Sequence, residues 1–411
     1  MSENLYEIYK NILEAGAFFE FESTEIKRSF DGFVDRCDKD SADEFIKCFF
    51  ANRAKSECLN LFVGDNEISF YEKSFHSISL FFLGLSLQEK FKDNFKNQIS
   101  EINKWEKQIS ETQGKESKPF TFEYAWFMTS LYHDISSEYE KDKKECPSQD
   151  SIMKDISNRF INKIQIKRNI YEFSEEEKEI LEGEKTFYDF TYSKETVENY
   201  YKYRLCNGSF DHGIVAGYIF YDAMVRNYLN EIEEQNIDKP SKIFTKSMGT
   251  YVLRFHPQQL NVFRVVADAI ISHNMWHNLK CLEFDLSELN NSKLTLEKNF
   301  LTCFLGILDT IEPVKFFINK DIDCRCSNKI NVRFILENIS ITSSAHHIDI
   351  IISEKFYELL NNSCKHNLID DWFKKIKGLE DWINLDVIIK QLRVYIKLNK
   401  KSSKNTLLET E

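Results

Sequence analysis

The sequence predicts a mainly helical protein that closes with a small α+β appendage, and three observations carry that expectation. Glycine (12) and proline (5) are scarce in 411 residues, too few for the many tight turns of a sandwich or barrel. Apolar stretches of helix length recur between residues 74 and 311. After about residue 320 the pattern changes to β-branched alternation.

The elements follow in order. Residues 1–65 read as amphipathic helices, with Phe18, Phe19, Phe45 and Phe49 as core candidates. Ser74–Leu87 is an apolar helix, and 89–118 a charged helical excursion ending in GKESKPF. Phe122–Glu140 is a second apolar helix, closed by the polar break KDKKECPSQ. Residues 150–200 read as polar helices that need partners to pack. The turn NGSFDHG leads into a third strong helix over Gly208–Leu229. Leu260–Trp276 is the fourth and Leu296–Ile311 the fifth, stopped by Pro313. INVRFILENISITSS, HHIDIIIS and QLRVYIKL read as strands, with a helix over Lys355–Trp382 between the last two. The expected partition is an N-terminal helical segment (1–65), a helical body (66–320) and the appendage (321–411). The appendage is too small to fold without burying its apolar face, so it is expected to pack on the body or on a second subunit.

A hydrophobic content of 42% supports a large core. The net charge of -12 makes the chain a poor general binder of nucleic acid, and it shows no basic stripe. The start, MSENLYEIYKNILEAG, is polar and acidic, unlike a signal peptide. The longest apolar run, Ile78–Leu87, is short of the ~18 residues of a membrane span. No two of the ten cysteines form a C-x-x-C pair. They read as reduced thiols, so the expected compartment is the cytoplasm and no membrane partner is expected.

Chemistry concentrates in the apolar helices. His76 (SFHSISLFFLGL), His133 (WFMTSLYHDISSEYE), His212 (FDHGIVAGYIFYDAM) and His273 (VVADAIISHNMW) lie in or at the edge of them. So do Asp134, beside His133, and Asp309 in FLTCFLGILDTIEP. Any one of these alone is as readily a hydrogen-bonded core residue. Together, without a matching supply of buried Lys or Arg, they need a counter-charge, because buried carboxylates are rare unless paired or metal-bound. Neutral imidazole nitrogens and carboxylate oxygens suit a divalent ion such as Mn, Mg, Fe, Co or Zn. His133 and Asp134 differ by about 100° around a helix and so can converge on one ion at its edge.

His76, then His133-Asp134, then Asp309 resembles the H…HD…D signature of the HD phosphohydrolase superfamily. YHDIS resembles the family's segment around the HD dipeptide, and LGILDTIEP its final helix. DHGIVAGYIF and AIISHNMW resemble its two further histidine segments. The resemblance spans roughly residues 70 to 315. It implies an HD-type helical core in which His76, His133, Asp134 and Asp309 hold one ion. His212 and His273 would hold a second ion, bridged by Asp134, or else contact phosphate. Two departures stand out, because HD is followed here by Ile135-Ser136-Ser137-Glu138. The lysine of the cyclic-dinucleotide phosphodiesterase branch is missing, and so is the close-spaced histidine of the deoxynucleotide triphosphohydrolase branch. Glu138, four residues after Asp134, is on the same helix face as a candidate general base, or is a solvated surface residue. Asp134, Glu138 and His212 are thus the candidate catalytic residues.

Candidate phosphate ligands are Lys202, Arg204, Arg254 and Arg264, each otherwise a surface charge. His277 suits a rim position. The first functional expectation is a deoxynucleoside triphosphate triphosphohydrolase, with antiphage defence as a setting. It would be a homo-oligomer with a nucleotide substrate and room for a nucleotide effector. The alternative enzyme is a phosphodiesterase of a cyclic or linear oligonucleotide. The alternative outside catalysis is a nucleotide-sensing regulator with a degenerate site.

Overall fold

In the computed structural model the described residues are 3–15, 31, 34–35, 71–100, 102–104, 107, 120–136, 151–159, 166–181, 189–234, 244–248, 251–255, 259–275, 283–291, 293–318, 330–343, 348–363, 368–384 and 393–397. Phe18, Phe19, Phe45, Phe49, Glu138, His256, His277, His346 and His347 lie outside them. The first half of the chain forms α1 (Leu5–Ala15), α2 (Tyr71–Gln98), α3 (Phe122–Tyr132), α4 (Ile152–Arg159), α5 (Glu175–Ile180), α6 (Lys194–Cys206) and α7 (His212–Glu234). A hairpin of β1 (Phe244–Met248) and β2 (Tyr251–Phe255) follows, then α8 (Gln259–Ser272), α9 (Ser287–Asn291), α10 (Phe300–Ile311) and α11 (Pro313–Phe317). The chain closes with α12 (Val332–Asn338), β3 (Ile339–Ser343), β4 (Ile348–Ser353), α13 (Glu354–Ser363), α14 (Leu368–Lys377) and β5 (Arg393–Lys397). The expected fold class is therefore observed: mainly α, with a small sheet among the last elements. Among the described residues no helix is long and apolar enough to cross a membrane.

The chain divides into two compact units, 1–92 with 306–411, and 93–305. In the first, the sheet has the order β3-β4-β5, with β3 antiparallel and β5 parallel to β4. Ile341 stands opposite Ile350, and Ile350 beside Val394. β4 alternates buried and half-buried residues, as a strand with one covered face should. The segment INVRFILEN, expected to be a strand, is instead the helix α12. Its buried residues Val332, Ile335 and Leu336 fall at i, i+3 and i+4, and the Asn331 side chain caps it by accepting the Phe334 amide. β-branched content alone misleads where the helical period and a cap are both present. α12 packs on α1 and α11, which ties the appendage to the start of the chain. Phe317 and Trp372 meet edge to face at 5.2 Å, and the Trp372 indole donates to the Thr310 carbonyl at 3.1 Å.

The second unit is built around the pair α7 and α8. Gly217 makes their close approach possible. A Cβ there would come within 2.5 Å of Ile271 Cγ1 and 2.8 Å of the Ala267 carbonyl oxygen. Gly217→Val is therefore expected to force the helices apart at a cost of about 1–3 kcal/mol or more, read as a lowered urea midpoint. α3 joins α8 and meets an aromatic cluster. Trp126 lies 5.0 Å from Phe304, and Phe122 lies 5.5 Å from both Phe95 and Phe304. Such clusters add to area burial through edge-to-face geometry.

Cys303 is a buried free thiol, pushed far above its ordinary pKa by burial. Cys206 departs from the expectation of ten reduced thiols, being disulfide-bonded.

Candidate metal centre

In the second unit the HD dipeptide stands just past the end of a helix rather than within one. α3 is entered at Thr121, whose side chain accepts the Tyr124 amide. Its last turn contains two hydroxyls that bond back to the helix, Thr129 to the Ala125 carbonyl and Ser130 to that of Trp126, each at 2.8 Å. Such back-bonding satisfies hydroxyls in an apolar helix and favours its bending or ending there. His133 is the C-cap and residues 133–136 form a turn. The helix expected over 122–140 thus stops at Tyr132, and the turn sets the directions of His133 and Asp134.

Two further ends meet this turn. α7 begins at His212, and Asp211 before it accepts the Ile214 amide at 2.9 Å, in the manner of an N-cap. Ser136 donates to the His212 carbonyl at 2.6 Å, tying the HD turn to that helix start. His273 directly follows the last residue of α8. Gly213 keeps the two close: a Cβ there would lie 2.8 Å from the Ile270 carbonyl oxygen and 3.0 Å from His273 Cε1.

Asp134, His212 and His273 converge as a result. Their donor atoms all lie within 4.8 Å of one another, and all three residues are buried. Asp134 Oδ1 is 3.1 Å from His212 Nε2, and Asp134 Oδ2 is 3.7 Å from His133 Nε2. The His273 ring centroid is 5.4 Å from that of His133 and 5.5 Å from that of His212.

The backbone sets the chemistry of two rings. His133 Nδ1 faces the Ser130 carbonyl at 2.9 Å, and His273 Nδ1 faces that of Ile270 at 2.6 Å. A carbonyl only accepts, so each Nδ1 carries the proton and donates it. In the neutral ring Nε2 then keeps its lone pair as a ligand or base. A carbonyl behind a histidine is the usual device for orienting a metal ligand. The donor set contains nitrogen and oxygen only, which suits Mn, Fe, Co or Zn. Its spacing is close to what donors about 2.0–2.2 Å from a common ion span. These residues fit a divalent ion.

In the first unit His76 and Asp309 are also brought together. His76, buried on α2, has Nε2 at 2.8 Å from Asp309 Oδ1 and Nδ1 at 2.8 Å from Glu312 Oε2. Lys315 donates to Asp309 Oδ1 at 2.6 Å. Burial and the Lys315 charge push the His76 pKa down, but the hydrogen bonds to Asp309 and Glu312 outweigh them, so it stands above the ordinary imidazole value.

The expected phosphate ligands separate. Arg204 on α6 places NH1 4.0 Å from Asp211 Oδ2, and its side chain is 19% exposed. Asn274 donates to the same Asp211 oxygen at 3.4 Å. Lys202 is half-buried on the same helix. Arg254 lies on β2. Arg264 sits elsewhere: its guanidinium is buried against Glu177 at 2.9 Å and donates to the carbonyls of Ile170 and Glu172. It also stacks 3.8 Å from the Phe173 ring centroid. NH1 and NH2 are thus committed to structure.

Sequence reasoning missed Asp211, Ser136 and Glu312. Asp211 was legible as an aspartate three residues before an apolar helical run. Glu312 was not, because Pro313 reads as a stop. Here the proline is the first residue of α11, and Glu312 caps that helix by accepting the Val314 and Lys315 amides. No protein-family model matches the chain, and neither does any curated protein or solved structure.

Proposed function

We propose that this chain is a divalent-metal-dependent phosphohydrolase of nucleotides, with a deoxynucleoside triphosphate as substrate. The observation that carries the proposal is the buried Asp134–His212–His273 group, with the His133 and His273 rings held by backbone carbonyls so that Nε2 is their donor atom. His76 and Asp309 enter as ligands from the sequence order H…HD…D. When bound, the ion supplies positive charge that polarises a phosphoryl oxygen and acidifies water. Asp211 holds the start of α7, and with it His212, in place. Arg204, close to Asp211, is the residue to meet a phosphate; Lys202, two residues earlier on α6, points to another side of that helix, and Arg264 takes a structural role instead. Glu138 keeps its proposed role as general base from the sequence alone.

The test is a panel of deoxynucleoside triphosphates, ribonucleoside triphosphates and cyclic dinucleotides incubated with Mn²⁺ and separated by chromatography. The expected products are a deoxynucleoside and inorganic triphosphate. Linear products from a cyclic dinucleotide, with the triphosphates intact, would replace this substrate by an oligonucleotide. Tight nucleotide binding with no turnover would replace the enzyme by a sensor.

The number of ions is tested separately. His212→Ala or His273→Ala is expected to remove about one equivalent of metal and to leave any other bound ion in place. Full metal content with activity lost would make both histidines phosphate or water contacts. A homo-oligomer belongs to the same proposal, since β3 and β5 are the edge strands of their sheet. Light scattering on the full chain and on one ending at residue 320 reads it as a change in mass.

A further inference from the structure

Glu312 has no place in the sequence pattern, yet it is fully buried and makes four contacts. Oε1 accepts the Val314 amide at 2.8 Å and the Ser79 hydroxyl at 2.5 Å. Oε2 accepts the Lys315 amide at 2.8 Å and lies 2.8 Å from His76 Nδ1. The cap of α11 alone would explain the two amide bonds. It does not explain why the other contacts reach α2, where Ser79 and His76 lie three residues apart on one helix face. Behind Ser79 stands Tyr9 of α1, fully buried, with its hydroxyl 3.3 Å from Ser79 Oγ. The chain Tyr9–Ser79–Glu312–His76 thus runs through the first unit and ends at Asp309.

The bonding has a consequence for His76. A carboxylate that already accepts two amides and a hydroxyl is fixed in orientation with its oxygens as acceptors, so at their 2.8 Å contact His76 donates from Nδ1 to Glu312. Nε2 then points at Asp309 Oδ1 from 2.8 Å. Two lone pairs cannot face each other at that distance without a positive centre between them. A second ring proton can supply it, and so can a cation. A histidine backed by a carboxylate on one nitrogen has its ring orientation fixed, so its other nitrogen is presented to the Asp309 edge as a ligand atom would be.

We propose that Glu312 is a positioning residue. It locks His76 with Nδ1 protonated, aims Nε2 at the Asp309 edge, and is itself held by Ser79 and Tyr9. The inference rests on the reading of His76 as a metal ligand, and its test separates the two.

Mn²⁺ affinity of the full chain is measured by calorimetry for wild type, Glu312→Gln, Ser79→Ala and Tyr9→Phe, with folding checked by circular dichroism. Glutamine keeps an acceptor for the helix cap but removes the charge. The expected result is a loss of affinity of about 10–100-fold for Glu312→Gln. Ser79→Ala should lose roughly two- to ten-fold, because one hydrogen bond to a charged partner is removed. If Glu312→Gln does not fold, Ser79→Ala and Tyr9→Phe decide: affinities equal to wild type overturn the proposal. A second measurement is independent of metal. In protein carrying ¹⁵N-histidine, His76 should give a low-field, slowly exchanging Nδ1 proton signal, identified by its loss in His76→Gln. That signal should also be lost in Glu312→Gln. Its persistence there overturns the positioning role. A wild type that takes up no Mn²⁺ overturns the metal reading, and the proton signal alone then decides on Glu312.

Discussion

If the proposed activity holds, His133→Ala and Asp134→Ala are each expected to abolish the proposed nucleotide hydrolysis and to lose most of the metal the wild type takes up, while the protein stays folded. Both residues are nearly or wholly shielded from solvent, and Asp134 contributes to the buried group with His212 and His273. Removing the carboxylate takes away the only negative donor of that group, leaving two neutral imidazoles to hold a doubly charged ion. Removing His133 leaves the Ser130 carbonyl without its ring partner and takes one nitrogen donor away. A ligand loss acts on the ion as a whole, so metal content and activity should fall together. Elemental analysis of each variant, with its far-ultraviolet spectrum as the control for folding, reads the result. Activity lost at full metal content would move these residues from metal binding to proton transfer.

Arg264→Ala is expected to be the most destabilising single change in the second unit, by about 3–5 kcal/mol, because it strips a buried carboxylate of its partner. Glu177 is fully buried. It closes the capping box of α5 with Ser174, accepts the Tyr221 hydroxyl and pairs with Arg264. The guanidinium also binds the backbone of Ile170 and Glu172, so one side chain fastens the segment before α5 to α8. Arg264→Lys should rescue little, since an ammonium cannot reproduce the fork that reaches two carbonyls and a carboxylate. Arg264→Met combined with Glu177→Gln should recover part of the loss, because no unpaired charge is then left inside. Chemical denaturation of the four proteins reads this. Wild-type stability for Arg264→Ala together with weakened nucleotide binding would return the residue to the phosphate role that its position in the sequence suggests.

The helical frame was legible because its period is strong. SFHSISLFFLGL, GIVAGYIFYDAM and VVADAIIS become parts of α2, α7 and α8, with buried residues on nearly every side. Boundaries were less legible, since they depend on contacts that a linear pattern does not contain. α3 stops at Tyr132, where hydroxyls bond back to the helix and the chain turns toward the start of α7. In α12 a helical period hides under β-branched composition. Residue types in apolar helices indicated only that buried His and Asp need a counter-charge; the grouping of Asp134 with His212 and His273 was expected from the family resemblance alone. Arg264 could not be placed the same way. Its partner Glu177 lies 87 residues earlier, in a stretch whose polarity gives no sign of a buried acid. Glu312 escaped for a local reason, a proline that restarts a helix instead of ending one.

The most direct test is the metal content of the purified full-length chain, measured by elemental analysis and followed by a thermal-unfolding titration with Mn²⁺ or Co²⁺. The expected result is one or two equivalents of a divalent transition ion, or uptake of that amount with a clear rise in unfolding temperature, since an ion that binds only the folded state stabilises it. A chain that carries no such ion, binds none when it is supplied, and unfolds at the same temperature with and without it would contradict the metal centre and the phosphohydrolase built on it.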